Sequence, residues 1–249
     1  MRVDILTLFP DTVGDVLSES ILGRAQERGY IRIDTHQIRT YTTNKQNQVD
    51  DYPYGGGRGA VMQADPLYRC WEAVKDMAQE PVHTIYLSPC GKTFTQADAI
   101  RLSKLPRLVL VCGHYEGIDQ RFIDECVDEE ISLGDFVLTG GEIAAMAVTD
   151  AVCRMVPGVL ADPECFEDES HYSGMLEYPQ YSRPAVWHGR EVPAILLSGN
   201  HEKVRQWRRK QSLRRTRERR PDMYEKLDLS SKQDKKLLKE MEEEDRETL

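Results

Sequence analysis

The chain has 249 residues, of which 40% are hydrophobic and 30% charged, and a formal charge of −9. These values lie near globular averages and exclude collagen-like, mucin-like and wholly disordered classes; at ~150 residues per domain the length suits one large domain or one domain with an appendage. No run of 18 apolar residues occurs, and the N-terminus alternates like a strand in place of an apolar signal core, so neither secretion nor membrane insertion is expected.

Residues 2–8 alternate as a strand, Pro10 opens a helical stretch that runs to Gly29, and a strand follows over 30–38. Asp65 before Pro66 reads as a cap and a first-turn proline, which predicts a helix over 66–79. Residues 83–88 read as a strand, Thr95 caps a helix ending before Pro106, and the apolar run 107–112 has the length of a strand buried on both faces. Alternation of this kind predicts an α/β fold with a mostly parallel sheet covered by helices. Between Gly141 and Met155 the positions Ala144, Ala147, Val148, Ala151 and Val152 recur at helical spacing, leaving Asp150 and Arg154 on the polar face.

The pattern then dissolves into an acidic stretch poor in β-branched residues, which reads as a linker. The expected organisation is a domain over 1–160, a flexible linker over 161–172 and a small helical C-terminal domain over 173–249. In the last, Asn200 caps a helix to about Leu213, Pro221 interrupts, and Ser231-x-x-Asp234 is a capping box for a final charged helix, read as a solvated or frayed extension.

The six cysteines show no C-x-x-C pair and no zinc spacing, so they read as reduced thiols of a cytosolic protein and no metal centre is expected. Charge is segregated along the chain: residues 201–220 carry +8 whereas residues 1–200 carry −13. A local basic run on an acidic protein is the electrostatic footprint of a polyanion site, although such runs are often only solvated helical faces.

Four glycine-containing stretches stand out: Tyr54 to Gly59, Ser88 to Gly91, Gly113 to Asp119, and Leu138 to Glu142. Two of them follow predicted strands directly, where α/β proteins place ligand loops. None is G-x-G-x-x-G and no Gly-Lys-Ser/Thr occurs, which argues against a dinucleotide or ATP phosphate cradle.

Val49-Asp50-Asp51-Tyr52-Pro53-Tyr54-Gly55-Gly56-Gly57, Gly113-His114-Tyr115-Glu116-Gly117-Ile118-Asp119-Gln120-Arg121, Ile131 to Glu142, and Leu197-Ser198-Gly199-Asn200-His201 together resemble the bacterial tRNA (guanine-N(1)-)-methyltransferases of the SPOUT class, from residue 1 to about 228. The resemblance implies a deep trefoil knot through about 85–142, an obligate homodimer with active sites shared between chains, and methylation of the tRNA guanosine at position 37 by S-adenosyl-L-methionine. Mg²⁺ assistance of the proton transfer is implied as well. Carried over residue by residue, the methyl-donor site falls on Tyr86, Leu87, Ser88, Pro89, Gly113, Tyr115, Glu116, Ile131, Gly134, Val137, Leu138, Gly140 and Gly141. Such a donor has no phosphates and asks for backbone polar groups, apolar walls and one acid near its positive charge, the part given to Glu116.

By the same resemblance Arg154 is the catalytic arginine, and Asp50 and Gly59 shape the guanine pocket, where Ala60 replaces a methionine frequent in relatives. Contacts to tRNA fall on Ser198, Asn200, His201, Arg208, Arg214, Arg215 and Arg220. The general base departs from the family pattern: the register to Gly174, Pro179 and Tyr181-Ser182-Arg183-Pro184 gives Glu169, while the neighbouring Asp168 has the shorter side chain of the family, so both stay candidates. Two other readings remain at this point, a nucleotide-handling α/β enzyme and a non-catalytic RNA-binding protein.

Overall fold

A computed structural model describes residues 1–160, 166 and 169–247. The chain divides between residues 162 and 163 into two compact units. No helix among the described residues is long and apolar enough to cross a membrane.

The first unit is built on five parallel strands: β1 (Arg2–Thr7), β2 (Arg32–Gln37), β5 (His83–Thr93), β6 (Arg107–Cys112) and β7 (Glu129–Ser132), in the order β2-β1-β6-β5-β7. A two-stranded antiparallel ribbon, β3 (Asp50–Asp51) with β4 (Val61–Met62), closes the Gly55–Gly59 loop. Because side chains alternate across a strand, the two faces of β6 feed two cores. Leu108, Leu110 and Cys112 meet α1 (Pro10–Leu17), α2 (Ser20–Glu27), α4 (Gln96–Leu102) and α6 (Glu142–Cys153). On the other face Val109 and Val111 meet α3 (Ala64–Lys75) and α5 (Gln120–Cys126). Every residue of β6 is buried, as the continuous apolar run requires.

Three elements differ from the sequence reading. The stretch from Pro10 to Gly29 is two helices, because Ser18 closes α1 through its N–H to the Gly14 carbonyl and Ser20 takes a φ of +55°. Helix α3 begins two residues earlier than expected: its N-cap is Gln63, which gives no side-chain cap, and Asp65 lies inside the first turn. Strand β5 does not stop at Ser88 but continues to Thr93, with Leu87 and Lys92 both opposite Ile131, so residues 88–91 bulge from the ladder. Thr95 caps α4 as read, and Asp98 reciprocates to complete a capping box.

At the N-terminal end of the sheet lies a buried charge cluster. Asp4 accepts from Arg107 Nε (2.9 Å), Arg2 Nη2 (2.8 Å) and His36 Nε2 (2.8 Å). Arg107 is fully buried and also donates to the Val74, Lys75 and Ala78 carbonyls, closing the C-terminal end of α3.

The second unit centres on α7 (His201–Arg219), six residues longer than read because the charged run continues the helix past Leu213. It is followed by α8 (Pro221–Tyr224) and α9 (Lys232–Glu247), with a small ribbon of β8 (Val186–Trp187) and β9 (Arg190–Glu191). Helix α9 is no solvated extension. Leu237 and Met241 are buried with Leu213 and Met175, and the Ser231 hydroxyl caps its first turn by accepting from Asp234 N–H.

Candidate active site

Strands β5, β6 and β7 end on the same side of the sheet, and a cavity of about 420 Å³ opens there. That is where parallel sheets hold ligands. The bulge after β5 supplies Ser88 to Cys90, the turn after β6 supplies Gly113 to Ile118, and the loop from Phe136 to Gly141 forms the far wall. All the residues expected to hold the methyl donor line this one cavity except Gly134. Gly134 stands one step behind it, where the Ser132 hydroxyl donates to its carbonyl (3.0 Å) and accepts from its N–H (3.1 Å), a turn that delivers Phe136 and Val137 to the wall.

Tyr86 and Leu87 serve both core and cavity. The Leu87 side chain packs in one core and that of Tyr86 in the other. Burial, with the charge of Glu130 behind it, pushes the Tyr86 phenol up to about 12, so it stays protonated at neutral pH. The Tyr115 backbone sits in the left-handed region (φ +60°) with its ring about half exposed at the cavity edge. Non-glycine residues held there tend to mark functional turns.

The Gly55–Gly59 loop packs on this turn. Glu116 N–H donates to the Ala60 carbonyl (3.0 Å) and Met62 N–H to the Gly117 carbonyl (3.0 Å). Gly59 has φ +86°, and a Cβ there would collide with the Glu116 side chain, so only glycine lets the loop approach. Asp50, paired opposite Met62, anchors the same ribbon.

One network at the cavity was not read from the sequence. Glu142, in the first turn of α6, accepts from Thr7 Oγ1 (2.6 Å) and pairs with His114 Nε2 (2.7 Å), and the Phe9 ring packs against the imidazole at a tilt of 59° with centroids 5.2 Å apart. Gly140 is crossed by this pair, since a Cβ would overlap both His114 and Glu142. Gly141 N–H donates to the Gly113 carbonyl (2.9 Å), so the network clamps the two cavity loops to the end of β1. Glu142 also benefits from the N-terminal end of α6, which has no side-chain cap of its own. His114 and Glu142 lie inside the quoted glycine motifs, but no spacing rule pairs residues 28 apart.

Arg154 is the C-cap of α6, its N–H on the Asp150 carbonyl (3.1 Å), one position beyond the helix rather than on its polar face. Glu169 belongs to the second unit, with its N–H on the Phe166 carbonyl (3.1 Å). Asp168 lies outside the described residues. Among those residues no group of three or more His, Cys, Asp or Glu could hold a metal ion.

In the second unit, Ser198 donates to the Ile195 carbonyl, Asn200 caps α7 by accepting from Lys203 N–H (3.1 Å), and His201 opens the helix. The basic run is divided. Arg209, Lys210, Arg214 and Arg217 face α9 and pair with Asp234, Glu244 and Asp245 at 2.6–2.9 Å. Arg220 pairs with Asp222. Arg208 lies over the Tyr178 ring at 4.7 Å and Arg215 donates to the Glu177 carbonyl, neither meeting a carboxylate among the described residues.

Fold and site thus define a parallel α/β protein with a cavity at its strand ends and a separate basic helical unit. The family model described as tRNA (Guanine-1)-methyltransferase TrmD matches residues 1–226, and the chain belongs to that family. A tRNA (guanine-N(1)-)-methyltransferase from Clostridium perfringens is 57% identical over 239 residues, covering 96% of this chain and 99% of the relative. Its namesake in Ruminiclostridium cellulolyticum is 51% identical over 227 residues (91% and 97%), and that in Dehalococcoides mccartyi 48% over 241 residues (97% of each).

Proposed function

We infer that the protein is a tRNA (guanine-N(1)-)-methyltransferase, that its donor is S-adenosyl-L-methionine and that its acceptor is ring nitrogen 1 of the guanosine at position 37. Family membership over almost the whole chain carries the activity, and the gathering of the donor residues into one cavity supports the donor. The cavity fits such a group: its volume lies in the range of small-molecule sites, Gly113, Gly140 and Gly141 offer backbone, Ile131 and Leu138 offer apolar walls, and Glu116 and Glu130 offer carboxylates for a cation.

When bound, S-adenosylmethionine supplies an electrophilic methyl on a sulfonium. The protein's own groups must hold the loops, take a proton and steady a developing charge. Guanine nitrogen 1 carries a proton at neutral pH, so as the new nitrogen–carbon bond forms and the carbon–sulfur bond breaks, that proton passes to a general base. Glu169 is the proposed base, with Asp168 the alternative; the ungapped register to Gly174 and Arg183 supports Glu169. Arg154 is proposed to hold the negative charge that grows on guanine O6, as an oxyanion donor would. Asp50 and Gly59 bound the acceptor pocket through the loop that touches Glu116.

The tRNA is held by Ser198, Asn200, His201, Arg208 and Arg215, while Arg214 and Arg220 must share Glu244 and Asp222 to join them. The protein works as a cytoplasmic homodimer, with a knotted catalytic domain over 1–160, a linker over 161–172 and a tRNA-binding domain over 173–249. Mg²⁺ dependence belongs to the same proposal and is tested by chelation; since the described residues offer no cluster for the ion, no step runs through it.

The deciding experiment is incubation with radiolabelled S-adenosylmethionine and tRNA transcripts differing only at position 37. Label on the guanosine-37 transcript alone is expected, and equal label on both would overturn the assigned acceptor.

A further inference from the structure

The second unit holds a cleft of about 660 Å³, larger than the donor cavity, and of its lining only Arg208 has a role assigned above. It lies between α7 and the segment 178–185, on the helix face turned away from α9. Three aromatic rings bound it: Tyr178, Tyr181 and Trp207, the last two with centroids 6.4 Å apart and tilted by 52°. Two arginines, Arg183 and Arg208, border it, proline and aliphatic side chains such as Pro184, Leu196 and Val204 form much of the remaining wall, and no Asp or Glu lines it.

We propose that this cleft takes an unpaired nucleobase of the tRNA, distinct from the guanine that is methylated. The inference rests on the tRNA reading above and adds a second recognition point to it. The chemistry is specific. Rings with open faces stack on any base, and a guanidinium beside them adds cation–π attraction and a partner for the flanking phosphate. Arg208 is poised in this way: its guanidinium covers Tyr178 at 4.7 Å on the cleft wall. The polar side chains of Gln180 and Ser182 in the wall offer edges for a base to meet. A purely apolar partner would bring no anion to Arg183 and Arg208, whereas the phosphate of a nucleotide supplies one. On the opposite face of α7 the cations already have carboxylates from α9, so the cationic character left for RNA lies on the cleft side.

The test uses the full-length protein with Trp71→Phe and Trp187→Phe, which leaves Trp207 as the sole indole. Its emission should be quenched by tRNA with a midpoint close to the KM for tRNA in methyl transfer. In the otherwise native protein, Trp207→Ala should raise that KM roughly 5- to 100-fold, the usual range for one base–aromatic stack, with adenosylmethionine affinity unchanged and Trp207→Phe largely rescuing. Tyr181 is about half exposed, so Tyr181→Ala spares the fold and should weaken tRNA binding in the same way. If wild-type protein methylates tRNA while both alanine variants stay within twofold in KM and Trp207 emission ignores tRNA, the cleft proposal is overturned. It is also overturned if Trp207→Ala converts the protein to a smaller species in sedimentation, which would make the cleft an interface between copies. Failure of the wild type to methylate tRNA would count against the underlying reading, and the fluorescence titration would still decide the cleft.

Discussion

At the scale of single residues the strongest commitment in the first unit is Asp4. Burial by itself would raise its pKa, but the hydrogen bonds from His36, Arg2 and Arg107 outweigh burial and hold the carboxyl below its ordinary value. A depressed folded value means that the stabilisation is present above the unfolded pKa of ~3.9 and is lost as pH falls through the folded one. Asp4→Asn keeps the shape but strands the buried Arg107 guanidinium without its anion, and should cost about 3–5 kcal/mol at pH 7 in urea unfolding. The gap between wild type and variant should begin to narrow below about pH 4, where the unfolded chain's carboxyl takes up its proton, and close as pH falls through the lower folded value. A constant gap from pH 7 to 2 would remove the ionic explanation. Nothing in the local pattern announces this cluster. Arg2, Asp4 and Arg107 sit in strands that read as apolar or alternating, and only the parallel pairing of β1 with both β2 and β6 brings them together.

At the scale of elements, α9 shows how a solvated-looking helix becomes structural. Its sequence, ending in Glu242-Glu243-Glu244-Asp245, has the composition of an exposed tail, yet Leu237 and Met241 recur four apart and are buried against Leu213. Its carboxylates meet Lys210, Arg214 and Arg217 on α7. Half-exposed pairs contribute up to about 1 kcal/mol each. Replacing Glu244 by Gln and Asp245 by Asn together should therefore lower the thermal midpoint by roughly 2–6 °C in scanning calorimetry. Their tRNA affinity should rise by no more than a few-fold, because Arg214 is freed from Glu244 while the cleft-side arginines are untouched. A tenfold gain in affinity without loss of stability would mean that these acids compete with RNA instead of bracing the unit.

At the scale of the whole molecule, the proposed catalytic pair is divided between two units, with Arg154 closing α6 in the first and Glu169 in the second. In a homodimer with shared sites, mixing Arg154→Ala chains with Glu169→Ala chains should restore methyl transfer at one of the two sites of each heterodimer. Recovery near half of the wild-type rate per heterodimer is the expected reading of a single-turnover assay. No recovery in heterodimers confirmed by mass would place both residues of a site on one chain.

The alternation of strands and helices, the doubly buried β6 and the capped α4 were legible because each depends on near neighbours in the chain: periodicity, a cap, an apolar run. The family was legible for a different reason, since glycine-rich strings of unusual composition in a fixed order carry information that single motifs do not. What local pattern misjudged were continuations and breaks. Strand β5 runs on past Ser88 because β7 pairs with it beyond a bulge, and α7 runs past Leu213 because α9 supplies carboxylates to its last turns. The sequence by itself therefore determined the α/β class, most of the residues that line the cavity at the strand ends and the placement of the basic run. Only the tertiary structure decided that Thr7, His114 and Glu142 would clamp the cavity loops, that α9 would occupy one face of α7, and that an aromatic cleft would remain open on the other. These outcomes depend on contacts between residues far apart in the chain, whose pairing free energy exists only after the sheet and the helices have packed.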